Sequence, residues 1–444
     1  MVGDIDVPAR DPSRGTQGSD RAPAQRADAV RADLRPPLSQ HTGQPSRPIV
    51  RVGERVRRGQ IIAEPGGFVS TGLHSPVTGT VAAIATRRHP TGRLQPAIEI
   101  TADPFSDQRL EVSPPPDWRS MDRKTFIEHV QRAGIVGMGG AAFPTHVKLA
   151  LPEGKTCRRL VVNGCECEPY LTCDHRVMVE RPDAVVRGAM MLAEKLEAAE
   201  GISIGVELNK HDAIEALRAA VPPGARIDVT PLKVKYPQGA EKMLINALFG
   251  LEVPAGKLPI DVGIVVNNVA TTAAIADYFE TGTPLIERLL TVAGPGVRRP
   301  ANLVVPIGTP VAEVLEHCGA LDADSAQVIM GGPMMGAPLA SLDVPVLKGT
   351  SGLLAFPITD DVSFAQEYQC VKCGRCLDAC ANFLNPSRLA RLSRVGRFEE
   401  MERYFVYDCM ECGACSFACP SNIPIVQLIR VAKSELRKAK AASK

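Results

Sequence analysis

The spacing of eight cysteines limits this chain more than any other feature. They read Cys370-x2-Cys373-x2-Cys376-x3-Cys380 and then Cys409-x2-Cys412-x2-Cys415-x3-Cys419, with Pro420 after the last. A [4Fe–4S] cube needs four thiolates at tetrahedral corners. A C-x2-C-x2-C loop wraps three of them, and the fourth cysteine of each run, on the following helix, reaches the other cube. Cys370, Cys373, Cys376 and Cys419 are therefore expected to hold one cluster, and Cys409, Cys412, Cys415 and Cys380 the other. Clusters wired in this way lie within electron-tunnelling reach. Structural zinc wants paired C-x2-C hooks and four ligands per ion, and the duplicated arrangement argues against it. Ala381 follows Cys380 where Pro420 follows Cys419, so the two turns differ locally.

The chain has 13 cysteines, an odd number. Its start, MVGDIDVPARDPSRG, lacks the apolar stretch of a signal peptide. A disulfide framework is therefore a poor explanation. With 51 basic and 49 acidic residues the formal net charge is +2, which excludes a strongly basic nucleic-acid binder. Aromatics make up only 4%, too few for base-stacking platforms. Apolar residues at 45% can build real cores. No apolar run approaches the roughly 18 residues of a membrane span. The chain is expected in the cytoplasm, free to dock on a membrane, with no transmembrane span of its own.

At 444 residues several domains are expected. Residues 1–36 are rich in Arg, Asp, Pro, Ala and Ser and read as a disordered leader. Residues 37–110 carry short β-branched pairs punctuated by Gly53, Gly59 and Gly79, the pattern of a small all-β unit. Its halves resemble the barrel-sandwich module of biotinyl and lipoyl carriers. No Lys lies between Val50 and Ile84 to carry a swinging arm, so a structural or docking module is the better reading. Residues 118–290 alternate strand-like runs (Arg159–Gly164, Ile202–Leu208, Ile227–Val234, Asp261–Asn268) with helical stretches, which implies a mostly parallel sheet. Residues 291–350 suggest a β-grasp-like insert, residues 360–432 hold the cysteine runs, and residues 433–444 form a basic tail.

A second chemical signal precedes the cysteines. Gly137-Met138-Gly139-Gly140-Ala141-Ala142-Phe143-Pro144-Thr145 is a glycine-rich loop opening toward a helix that includes Lys148. Glycines let backbone approach phosphates, and exposed N–H groups at a helix start favour anions. Val161–Arg176 follows at the carboxyl end of a predicted strand, where α/β sheets bind ligands. Tyr236–Lys242 and Val265–Thr272 add two more strand-end polar loops.

These four segments together resemble the NADH- and FMN-binding subunit of respiratory complex I. The module order resembles more closely the RnfC family, found in the Rnf complex, an ion-translocating NADH:ferredoxin oxidoreductase, over roughly residues 38–432. The resemblance implies a multidomain α/β protein: a barrel-sandwich β module, a Rossmann-like α/β FMN/NADH domain, a β-grasp (SLBB) insert and a C-terminal α-helical two-cluster ferredoxin domain. Carried over by residue, the FMN phosphate loop falls on Gly137, Gly139 and Gly140, with Lys148 nearby. Strand-end flavin contacts fall on Asn163, Glu166, Asn267, Asn268 and Thr271. The nicotinamide mouth falls on Phe143, Glu168, Tyr236 and Glu241. The chain departs from the complex I pattern at Ala142 and His146, where that family usually has Gly, and at Cys165, where it has Asp.

The implied role is the peripheral electron-input subunit on the cytoplasmic face of the bacterial inner membrane. It would carry electrons between NADH, one FMN and two [4Fe–4S] clusters. Its partners would be the other subunits of an Rnf-type complex and, through them, a ferredoxin-like protein. No nucleic acid is implied, and no side chain is needed as a catalytic acid or nucleophile, because the cofactors carry the chemistry. Two other readings are a soluble reductase of the cobalamin type and an electron-transfer adaptor without NADH binding. Cys165, Cys167 and Cys173 are read as buried free thiols, His146 and His175 as satisfied core histidines, and Cys157 and Cys318 as inert. Arg430, Lys433, Arg437, Lys438, Lys440 and Lys444 are read as a solvated basic face.

Overall fold

The structure, a computed structural model, describes residues 25–26, 33–110, 112, 117–320, 326–358 and 366–442. The first unit sandwiches two three-stranded sheets. One pairs Arg47–Pro48, Ile61–Glu64 and Leu73–His74; the other pairs Arg55–Val56, Gly79–Arg88 and Leu94–Ala102. Val56, Ile62, Leu73, Val81, Ile98 and Ile100 fill the space between them. Leu34 joins this core, fully buried, and exchanges backbone hydrogen bonds with Ile100 at 3.0 and 2.9 Å. The unit therefore starts before residue 37. Gln25–Arg26 also pairs, in parallel, with Leu303 and Val304 of the insert. The expected disordered leader is thus wrong at these positions, because its few apolar and backbone groups find partners. Its other residues, 1–24 and 27–32, lie outside the described residues.

The second unit is built on a four-stranded parallel sheet in the order Ile227–Leu232, Ile202–Glu207, Arg159–Gly164, Ile264–Asn268. Every residue of Ile202–Glu207 is buried, as expected for a strand covered on both faces. Pro182–Lys195 and Val269–Thr281 cross closely on one side. Gly188 makes that approach possible: a Cβ there would sit 2.0 Å from the Thr272 carbonyl oxygen. All four strands run the same way, so Gly164, Glu207, Leu232 and Asn268 end on one edge.

The insert is a six-stranded mixed sheet in the order Gln25–Arg26, Ala301–Pro306, Glu287–Ala293, Gly352–Pro357, Ala326–Met330, Ala337–Pro338. Helix Val311–His317 packs on it through Val314 and Leu315. Its limits are wider than 291–350, because Thr291, Val292 and Ala293 pair in parallel with Gly352, Leu353 and Leu354. The cysteine unit places short helices Arg375–Asp378 and Ala414–Phe417 after the two loops. Pro386–Arg394 packs against the long helix Ile425–Ala442. The boundary expected at 432/433 falls inside that helix, where Leu436 still faces the core.

Candidate functional site

The glycine-rich loop is held from three sides. Gly137 N–H donates to the Phe143 carbonyl at 2.8 Å, closing the loop on itself. Met138 N–H donates to Thr271 Oγ1 at 2.8 Å, and the barrel's Thr42 bonds the Ala141 and Ala142 carbonyls. Gly140 has φ +105° and nothing within 4 Å of where a Cβ would stand, so its backbone lies open. A Cβ on Gly139 would touch Asn268 at 3.6 Å. His146 turns away from the loop and is buried at the barrel seam, with Nε2 2.6 Å from the Phe68 carbonyl. It therefore clasps two modules and leaves the loop's width alone.

Lys148, on the short helix Thr145–Leu149, pairs with Glu241 and reaches the Val266 carbonyl at 3.4 Å. The expected phosphate partner and one expected nicotinamide residue thus meet each other. Asn163 and Asn268 are partners in register on adjacent strands. Asn163 Nδ2 donates to the Gly239 carbonyl at 2.8 Å. Asn268 caps helix Val269–Thr281 through Oδ1 and donates from Nδ2 to Asp174 at 2.5 Å. Glu166 accepts from Asp174 N–H and His175 N–H at 3.0 and 3.1 Å, capping helix Cys173–Glu180. Asn267 is buried, and its Nδ2 has no hydrogen-bond partner among the described residues. A buried unpaired amide is costly, and an FMN bound over this open backbone would supply acceptors. The glycine cradle, the Lys148 cation and the Asn267 amide therefore fit the flavin.

Charges absent from the sequence reading lie beneath this edge. Arg288 is 1% exposed and donates to the Met138 and Thr350 carbonyls at 2.8 and 2.9 Å, bracing the loop from the insert. Burial, reinforced by Glu166, pushes the Asp174 carboxyl well above the usual carboxylate range, while Arg288 opposes this. Lys210 pairs with Glu207 at 2.5 Å. Ligand-type atoms of Glu166, Cys173 and Asp174 come within 4.8 Å of one another, yet Arg288 and Lys210 already supply positive charge there. Burial pushes the Cys165, Cys167 and Cys173 thiols up, so they stay neutral.

The two cysteine loops repeat in backbone as well as in sequence. Lys372 and Glu411 occupy the left-handed region at φ 56° and 60°, and Gly374 and Gly413 both stand at 81°. Cys380, Cys409, Cys412 and Cys415 line one cavity of about 410 Å3, part of it open to solvent. Burial raises the Cys415 thiol to about 12, and Cys409, Cys412 and Cys380 add to the rise. Cys376 feels Cys419 and Cys370 in the same way. Each fourth cysteine thus crosses to the other run. Thiolates crowded in this way repel, and an iron–sulfur core is the cationic partner that lets all four ionise. The donor sets fit two [4Fe–4S] clusters. Leu384 N–H donates to Cys380 Sγ at 3.3 Å and Glu411 N–H to Cys409 Sγ at 3.4 Å, bonds of the kind that tune cluster potential.

The sets differ in setting. Cys370 and Cys373 are exposed, whereas Cys415 is buried. The inner loop sits against both other units. Tyr236 Oη donates to the Cys412 carbonyl at 2.6 Å, and a Cβ on Gly413 would lie 2.6 Å from the Met334 carbonyl. Glu168 accepts from Met334 and Met335 N–H at 3.0 and 2.8 Å, and burial raises its carboxyl. Met334 and Met335 therefore form a joint through their backbone, beyond simple packing.

Fold and site together define an iron–sulfur flavoprotein of the electron-transfer class. Residues 130–277 match the Nuo51 FMN-binding domain, 11–104 the RnfC barrel sandwich hybrid domain, 289–338 the SLBB domain and 366–423 the 4Fe-4S dicluster domain. The chain is 45% identical over 406 residues to the RnfC-type component of the proton-translocating ferredoxin:NAD(+) oxidoreductase complex of Clostridium ljungdahlii, covering 91% of this chain and 88% of that one. It is 44% identical over 400 residues to the corresponding component of the Na(+)-translocating ferredoxin:NAD(+) oxidoreductase complex of Acetobacterium woodii, covering 90% of each. The chain belongs to the RnfC family of the ion-translocating (Rnf) oxidoreductase complexes. Its fold also resembles a chain of an NAD+-reducing [NiFe]-hydrogenase in the H2-reduced state, at TM-score 0.51 and 22% identity, covering 72% of this chain and 63% of that one.

Proposed function

We propose that the chain is the electron-input subunit of a membrane-bound, ion-translocating NADH:ferredoxin oxidoreductase. FMN, when bound, accepts the electron pair of NADH and releases it one electron at a time. Gly137, Gly139, Gly140 and Lys148 hold its phosphate; the Asn163, Glu166, Asn267, Asn268 and Thr271 edge holds the flavin. Phe143, Glu168 and Glu241 border the nicotinamide. Cys409, Cys412, Cys415 and Cys380 hold the first acceptor cluster, and the exposed set with Cys370 and Cys373 holds the exit cluster. The observation that carries this reading is the contact between the flavin domain and the inner cysteine loop at Tyr236 and Cys412. Among the described residues no helix is long and apolar enough to cross a membrane. The chain accordingly sits as a peripheral subunit on the cytoplasmic face, held by partner subunits.

The test is anaerobic purification from membranes followed by NADH titration. Partner subunits should co-purify, about eight iron atoms and one FMN should be found per chain, and NADH should bleach the flavin and then reduce the clusters. Intact clusters with a flavin that NADH does not bleach would reduce the chain to an adaptor.

A further inference from the structure

Tyr236 follows strand Ile227–Leu232 and stands in a loop bound at both ends. At one end the Gly239 carbonyl accepts from Asn163, and Gly239 N–H donates to Cys167 Sγ at 3.3 Å. A Cβ on Gly239 would lie 2.4 Å from the Cys165 carbonyl oxygen, so this approach needs glycine. At the other end the phenol donates to the backbone carbonyl of Cys412 at 2.6 Å. A continuous line of contacts results: Gly139 against Asn268, Asn268 beside Asn163, Asn163 to Gly239, and Tyr236 to Cys412. The other contacts that hold the inner loop run elsewhere. Gly413 meets Met334, and Arg430 reaches the Met335 carbonyl at 3.4 Å, both on the insert. Asp408 accepts from Gly256 N–H at 3.2 Å, away from the strand-end edge. Resemblance to complex I gives Tyr236 a place at the nicotinamide mouth. Here its polar atom is turned to a cluster-ligating residue.

We propose that Tyr236 is a positioning residue for electron transfer out of the flavin domain: its hydrogen bond fixes the Cys412 backbone, and with it the inner cluster, against the strand-end edge. This rests on the relay reading above and adds the element that couples the two halves. The overall step balances as NADH plus two oxidised clusters giving NAD+, one proton and two clusters each reduced by one electron. Tyr236 is neither oxidised nor deprotonated in it. Its contribution is geometric, because one ordered hydrogen bond shortens the path between donor and acceptor and narrows the spread of distances.

The experiment uses the full chain purified anaerobically with flavin and iron content measured, and compares wild type with Tyr236→Phe. Tyr236→Phe keeps the ring and removes one hydrogen bond. Stopped-flow mixing with NADH should show flavin bleaching at the wild-type rate and KM, with cluster reduction slowed about three- to tenfold. Amide hydrogen exchange over residues 409–415 should rise in the same variant, a readout independent of turnover. Wild-type cluster reduction with unchanged exchange would overturn the inference. So would equal slowing of bleaching and cluster reduction, which would return Tyr236 to the nicotinamide mouth. If NADH does not bleach the wild-type flavin, the functional reading fails on its own, and the exchange measurement still decides whether Tyr236 orders the inner loop.

Discussion

Lys433 and Glu411 form an ion pair at 2.8 Å directly beneath the inner cysteine loop. Lys433 also donates to the Cys409 carbonyl at 2.6 Å, and Arg430 holds the other Glu411 oxygen at 3.1 Å. Lys433 is 6% exposed, so the start of the expected basic tail is a brace inside the cluster domain. Lys433→Met should destabilise that domain by about 1.5–3 kcal/mol, the range for hydrogen bonds to charged groups. Iron loss from the inner cluster under mild chelation should speed up, with the outer cluster unaffected. Equal loss from both would refute a local brace.

Cross-wiring of the fourth cysteines makes a prediction that sequence distance alone would reverse. Cys380→Ser should abolish the cluster of Cys409, Cys412 and Cys415, although it lies in the first run. Cys376→Ser should abolish the outer one. Each variant should keep about half the iron and near-normal flavin, and electron paramagnetic resonance should show that different signals remain. The same surviving signal in both variants would contradict the assignment.

The Lys148–Glu241 pair leaves the lysine shared between protein and ligand. Lys148→Ala should weaken FMN retention roughly tenfold, the loss of one charge-assisted hydrogen bond. Glu241→Gln should leave retention equal or tighter, because it frees the cation. FMN affinity by fluorescence titration checks both, and unchanged retention in Lys148→Ala removes that residue from the site.

Stability should depend on pH through the seam of the three N-terminal modules. Lys348, fully buried on the insert, donates to the Gly72 and Gly134 carbonyls at 2.7 Å each, with its own N–H on Gln40. Burial lowers it to about 7. Burial, then Lys348 itself, lowers His41 to about 4 and His74 to about 3; Arg132 presses on His74 as well. For each group the unfolded chain binds the proton that the folded chain refuses. Stability therefore rises with pH from about 7 toward the ordinary lysine value, and falls on acidification through about 6.5 to 4. Urea midpoints followed by Trp118 should rise between pH 7 and 9, and Lys348→Met should flatten that rise. A wild-type profile already flat over that interval would show that Lys348 keeps an ordinary affinity.

Much of the architecture is legible in residue order. The β-branched runs at Arg159–Gly164 and Ile264–Asn268 became strands because alternating strands and helices bury both faces of a parallel sheet. The module edges were harder to read. Leu34 joins the barrel from inside a polar stretch, and strand Glu287–Ala293 closes the insert from what reads as the end of the α/β domain. Neither carries a local periodic signal, because its partner strand is remote in the chain.

What the sequence alone determined is the chemistry. Thiol spacing and a glycine-rich turn are local patterns, and the geometry of a cube or of a backbone cradle is contained within a few residues of chain. Tertiary structure alone decided how these parts are joined: that Cys412 faces Tyr236, that Arg288 braces Met138, and that Lys348 lies without water between modules. These relationships join residues more than a hundred positions apart, and only packing brings them within hydrogen-bonding distance.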